Sequence, residues 1–210
     1  MLWAAIPAGM TDRPLIALLA AGRASRFGAD KLAAACAGGP LAGHAVAAVL
    51  ATGLPALCIT APGARPGWLP ADIPAVPNPD AAEGLATSVA LAAREAARRG
   101  APSLLLHLAD MPCVTPALLL AVAEAGAMAA CRYPSGRPGV PARFPADRFA
   151  ELASLAGDRG AAALLQADPA VVLVDCAADD LIDVDTPEAL ARAEAVLNLR
   201  QRKAGQGPTG

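Results

Sequence analysis

The sequence predicts an α/β fold of three layers around a mostly parallel sheet. Three observations carry that expectation. Short apolar runs alternate with stretches of helical composition along most of the chain. The runs at Leu15–Ala20 and Ser103–Leu108 are almost continuously apolar, as strands covered on both faces must be. Each run breaks into a loop of small, charged or glycine residues, the pattern of a strand whose carboxyl end faces a ligand.

The elements follow in order. Residues 1–14 read as a loose leader, 15–199 as a single domain and 200–210 as a basic, glycine-rich tail expected to be disordered. The first strand, about 15–20, runs into Ala21-Gly22-Arg23-Ala24-Ser25-Arg26-Phe27-Gly28-Ala29-Asp30-Lys31. Backbone N–H groups near Gly22 and Gly28, with the cations Arg23, Arg26 and Lys31, suit a polyphosphate. The spacing is neither a Walker A loop nor G-x-G-x-x-G. Pro40-Leu41 opens a helix through Leu50, with Gly53 just past its end. Ala56–Thr60 is a second strand, and Pro62–Pro79 an irregular connection with one brief strand near Ile73–Val76. Glu83–Ser88 is a turn into a helix capped by Thr87 or Ser88 and running to about Arg99. Pro116–Glu124 is a helix and Ala127–Cys131 a strand; Tyr133–Pro145 is a proline- and glycine-rich segment with no assigned element. Helices at 148–156 and 160–166 and a strand at 171–175 precede the last helix, which Thr186 caps and Pro187 opens.

Composition narrows the function. Apolar residues make up 55% but aromatics only 3%, so the core is built from Leu, Val, Ile and Ala. A formal net charge of −2 gives no argument for a nucleic-acid partner. No apolar run reaches the roughly 18 residues of a membrane helix. Five cysteines, scattered singly, point to reduced thiols and a cytoplasmic setting. Asp110 follows the strongest strand, and Asp183 and Asp185 precede the last helix. Mg²⁺ is commonly held by one or two carboxylates together with substrate phosphates, so these aspartates are candidate ligands. For each, a cap or turn role is the alternative.

Taken together, the motifs resemble a family. Leu19-Ala20-Ala21-Gly22-Arg23-Ala24-Ser25-Arg26-Phe27-Gly28-Ala29-Asp30-Lys31 is similar to the L-A-A-G-x-S-x-R-x-G-x-x-K signature of nucleotidyltransferases, with the molybdenum-cofactor cytidylyltransferases and other MobA-like NTP transferases as the nearest group. Asn78-Pro79 through Gly84-Leu85-Ala86-Thr87-Ser88, Leu108-Ala109-Asp110-Met111-Pro112, Gly136–Phe144, Leu155–Ala161 and Asp183–Leu190 match the family's further motifs in order. The resemblance spans about residues 15–195 and implies a Rossmann-like, glycosyltransferase-A-type fold. It implies that Arg26, Lys31 and Asp110 are catalytic, with Arg26 and Lys31 on the triphosphate. Asp110 would bind Mg²⁺, with Asp185, or Asp183 in its place, as the second ligand. Leu19, Ala20, Ala21, Gly22, Arg23, Ser25, Gly28, Asn78, Gly84, Leu85, Thr87, Ser88, Gly139 and Asp158 would contact substrates. The implied reaction is attack of an acceptor phosphate on the α-phosphorus of a nucleoside triphosphate, with pyrophosphate leaving. CTP is favoured by Ala20-Ala21-Gly22, whereas Asp30 before Lys31 is closer to the guanylyl branch. Molybdopterin is the implied acceptor and a molybdoenzyme a possible partner, although Val140 stands where the family carries His. Transfer to a sugar phosphate, or a non-catalytic nucleotide-binding role in delivering a cofactor, are the alternatives.

Overall fold

The computed structural model describes residues 12–22, 31–63, 65–156 and 161–205. Its central sheet has seven strands: β1 (Leu15–Ala20), β4 (Ala56–Thr60), β5 (Ala75–Pro77), β6 (Ser103–Leu108), β7 (Ala129–Arg132), β8 (Pro138–Pro145) and β9 (Val172–Val174). They lie in the order β5-β4-β1-β6-β8-β7-β9. Only β8 pairs antiparallel to its neighbours β6 and β7; the other pairings are parallel. A small separate hairpin joins β2 (Ala35–Cys36) to β3 (Gly39–Pro40).

The central strands are apolar throughout because helices cover both sides. Alternate residues of β1 divide between two cores. Leu15, Ala17 and Leu19 face the layer of α2 (Leu85–Arg98), α4 (Phe149–Ala153) and α5 (Ala162–Ala167). Ile16 and Leu18 face the layer of α1 (Leu41–Ala51) and α3 (Pro116–Glu124). Alanine dominates the part of α2 that packs on the sheet (Ala92, Ala93, Ala96), with Val89 and Leu91 beside them. The last helix, α6 (Pro187–Gly205), buries only Ala193 and packs beside the hairpin. Among the described residues no helix is long and apolar enough to cross a membrane.

Most of the expected elements form, and three readings need correction. Helix α2 begins at Leu85 with Gly84 in the cap position, so neither Thr87 nor Ser88 caps it. Helix α6 continues to Gly205 rather than stopping at Leu199, so residues 200–205 are helix and not tail. The segment Tyr133–Pro145, which has no assigned element in the sequence reading, contains β8. Its prolines sit where a strand can spare a donor: Pro138 and Pro145 at its ends, Pro141 where the register against β7 shifts.

His107 sits inside β6, fully buried, with neither ring nitrogen hydrogen-bonded. Burial lowers its pKa to about 3. The unfolded chain takes up this proton below about pH 6.5, while the folded state resists until about 3. Stability therefore falls as pH drops through that window, by ~1.4 kcal/mol per pH unit. His107→Leu is expected to flatten this acid limb and raise the melting temperature at neutral pH, since an unpaired buried polar group is removed. Urea midpoints against pH measure it; an unchanged acid limb would assign the loss elsewhere.

Candidate active site

The site lies at the carboxyl ends of the parallel strands. Strand β6 ends at Leu108, and the amide of Ala109 still donates to the Leu19 carbonyl of β1 at 3.0 Å. Asp110 follows directly, and the Val184 amide donates to its main-chain oxygen at 3.0 Å. That bond ties the end of β6 to the segment before α6. Val184 itself is buried with Cys36, Leu41 and Cys113. With Val184 pointing inward, its neighbours Asp183 and Asp185 both face the cleft, as residues i and i+2 of an extended segment do. The carboxyl oxygens of Asp110, Asp183 and Asp185 thus come within 4.8 Å of one another.

Lys31, at the start of the short 3-10 turn Lys31–Ala33, reaches this cluster. Its Nζ donates to Asp110 Oδ2 and Asp185 Oδ1, each at 2.8 Å. The residue is only 8% exposed. Burial alone lowers the pKa of an ammonium, but the bonds and attraction from the two aspartates outweigh it, and the net shift is upward. Lys31 is therefore held charged. Among the described residues, three carboxyls against one ammonium leave an excess of negative charge. The consequence falls on Asp183: partial desolvation, then repulsion from Asp110 and Asp185, pushes its carboxyl up to about 7.

The donor set fits a hard divalent cation, because every candidate ligand is a carboxylate oxygen. Asp110 Oδ1 strengthens the fit: it is buried and has no hydrogen-bond partner.

A cleft of about 500 Å³ opens beside the cluster. Leu19, Ala20, Gly22, Lys31, Leu85, Asp110 and Asp185, each a candidate from the sequence, line it. Ala21 does not; it is buried in the core with β1. Asn78 is 2% exposed, and its Nδ2 donates to Thr87 Oγ1 and Ser88 Oγ, each at 2.9 Å. These three residues tie the end of β5 to the first turn of α2 and do not line the cleft. Gly84, at φ 119°, starts that helix in a conformation that suits glycine. Gly139 lies under the Tyr133 ring, where a Cβ would collide with Tyr133 Cε2; it serves packing on β8. Arg23, Ser25, Arg26, Gly28 and Asp158 lie outside the described residues.

The sequence offers Asp183 only as a substitute for Asp185, yet both sit in one cluster; the D-x-D spacing in an extended turn was the available signal. Leu32 and Trp68 also line the cleft and escaped the sequence reading. Trp68 lies outside every motif, and no signal in the sequence singles it out.

Comparison with known proteins shows the family and the fold. The MobA-like NTP transferase domain matches residues 16–172. Rv0371c from Mycobacterium tuberculosis H37Rv is 26% identical, with 87% of this chain and 98% of that chain covered and a TM-score of 0.68. A structure of Rv0371c in complex with manganese gives 25% identity, the same coverages of 87% and 98%, and a TM-score of 0.70. A nucleotidyl transferase from Methanothermobacter thermautotroptrophicus is 23% identical over 90% of this chain and 99% of that chain, with a TM-score of 0.72. No curated protein matches the sequence. With three quarters of the chain matched and a charged cleft at the ligand edge of its sheet, the protein belongs to the MobA-like NTP transferase domain family and is an enzyme of the nucleotidyltransferase class.

Proposed function

We propose that the enzyme transfers a nucleoside monophosphate, from CTP in preference to GTP, to the phosphate of molybdopterin or a related acceptor. Pyrophosphate leaves, and Mg²⁺ is required. One observation carries the reading: Lys31 and the three aspartates converge at the mouth of the cleft, with Lys31 Nζ at 2.8 Å from both Asp110 and Asp185. A triphosphate brings negative charge that only local cations can offset, and a Lys31 held charged beside the cleft supports that role. Asp110 and Asp185, with Asp183 beside them, would hold Mg²⁺, which when bound neutralises phosphate charge and orients the oxygens. The manganese complex of Rv0371c supports a divalent ion in this fold.

The residues' own work is positioning and electrostatics, and no side chain acts as a nucleophile. The acceptor's phosphate oxygen forms the new P–O bond at the α-phosphorus, and the bond to the pyrophosphate oxygen breaks. Lys31 would hold charge against the phosphates while this happens. Leu19, Ala20, Gly22 and Leu85 form the apolar and backbone wall on which the nucleoside would rest. The preference for CTP rests on Ala20-Ala21-Gly22, and the acceptor on the family motifs.

A panel of CTP, GTP, ATP and UTP with Mg²⁺ tests the reading. CTP should raise the melting temperature most and, with molybdopterin added, should release pyrophosphate. A shift with GTP alone would reassign the base. Release with a sugar phosphate but not molybdopterin would reassign the acceptor. Binding without release, for every triphosphate and acceptor, would make the protein a nucleotide-binding delivery partner.

A further inference from the structure

Helix α6 is 19 residues long and fully buries only Ala193, with Leu190, Val196 and Leu197 half-buried against the same cluster. Arg192 and Arg200 tie it to Asp179, Asp180 and the Cys113 carbonyl, and two further polar bonds tie it to the hairpin. The Glu194 carboxylate accepts from the Ala37 amide at 3.0 Å, and the Gln201 amide donates to the Ala37 carbonyl at 3.4 Å. Seven residues apart, Glu194 and Gln201 lie on one face of the helix, two turns from each other. Both main-chain groups of one residue are thus taken by one helix.

Ala37 is the residue that most needs holding. With Gly38 it forms the two-residue turn between β2 and β3, at φ 46° and 87°. Such turns need positive φ at both positions, which glycine accepts and alanine resists. From this turn a continuous set of backbone bonds leads to Lys31. Cys36 pairs with Gly39 and Ala35 with Pro40; Leu41 N donates to Ala34 O at 2.8 Å, and Ala34 N donates to Lys31 O at 3.1 Å. The same helix begins two residues after Asp185. One rigid element therefore sets both ends of the Lys31–Asp185 ion pair.

We propose that Glu194, assisted by Gln201, is a positioning residue that fixes Lys31 in the catalytic cluster by clamping the Ala37–Gly38 turn. The proposal deepens the reading of Lys31 as the triphosphate-facing cation. Glu194 acts through the hairpin and touches no substrate.

The chain has only two lysines, Lys31 and Lys203, and this makes the test clean. The full-length protein is acylated with an N-hydroxysuccinimide ester, and the rate at each lysine is read by mass spectrometry. Buried Lys31 should react slowly and exposed Lys203 serves as the internal reference. Glu194→Ala should speed Lys31 acylation about five-fold relative to Lys203, the change that losing one ordinary hydrogen bond makes in a local opening equilibrium. Glu194→Gln keeps an acceptor oxygen and should stay near wild type. In pyrophosphate release, Glu194→Ala should lower kcat more than it raises KM for the triphosphate, and Glu194→Gln should restore it. An unchanged Lys31 rate in folded Glu194→Ala overturns the proposal, as does equal behaviour of the Ala and Gln variants. Should Glu194→Ala fail to fold, Gln201→Ala is read in the same way: a faster Lys31 supports the clamp and an unchanged one overturns it. Unchanged pyrophosphate release in Lys31→Ala would sink the catalytic reading of Lys31, while the labelling result would still stand.

Discussion

Asp110→Asn is expected to lower pyrophosphate release by about 10³-fold or more, ~4 kcal/mol of transition-state stabilisation, while leaving the fold intact. The variant has the same shape. The bond from the Val184 amide goes to the main-chain oxygen of Asp110, so the link between β6 and the α6 segment survives. What goes is the anionic character of two oxygens, one bonded to Lys31 and the other buried without a partner. An amide nitrogen in either place cannot ligate a cation as a carboxylate does and presents a donor toward Lys31, itself a donor. Turnover at saturating triphosphate and Mg²⁺, alongside a thermal melt, measures the effect. Activity above one-tenth of wild type in the folded variant would remove Asp110 from the reaction centre.

Lys31→Met should cost about 10²- to 10³-fold in turnover, the range seen when one preorganised charge-stabilising donor is lost. Its second effect is more diagnostic. Among the described residues the counter-charge of the cluster is Lys31, which takes one oxygen each of Asp110 and Asp185. Removing the ammonium takes that counter-charge away from three facing carboxyls. The variant should melt several degrees lower in a chelator, since a ΔΔG of 1 kcal/mol moves the midpoint of a domain this size by about 2–4 °C. A divalent ion then has more repulsion to relieve and no ammonium to displace. Saturating Mg²⁺ should therefore raise the melting temperature of Lys31→Met more than that of wild type. Equal increments would mean that Lys31 and the ion do not compete for the same oxygens.

What the sequence made legible follows from how locally each feature is encoded. Strands β1, β4 and β6 are apolar runs bounded by turn residues, and their limits fall where the residues put them. Strand β8 is encoded differently. It gains its place from β6 and β7 on either side, and its prolines and glycines carry no strand preference of their own. Asp110 could be placed at the ligand edge because a strong strand leads straight to it. The convergence of Asp183 with Asp185 depended on Val184 turning inward against Cys36 and Cys113, a contact between residues far apart in the chain. Asn78, Thr87 and Ser88 share a motif with the cleft-lining Leu85, and composition could not tell that they bond to one another. The clamp on Ala37 was not legible at all: nothing in an alanine beside a glycine, or in a glutamate on a polar helix, announces that the two meet.

Early and late parts of the chain meet at the site, and this has a consequence for its birth on the ribosome. Lys31 and Asp110 come early in the polypeptide, and four parallel strands, β5-β4-β1-β6, can pair once residue 108 has emerged. Asp183, Asp185 and the helix that holds the hairpin come much later, beyond residue 172 where the family match stops. Synthesis proceeds from the N-terminus, and a domain generally folds as a unit once its last elements are made. The cluster of Asp110, Asp183 and Asp185 therefore cannot assemble until the segment before α6 has been made. The proposed metal–triphosphate site is thus completed by a stretch translated after every strand of the sheet.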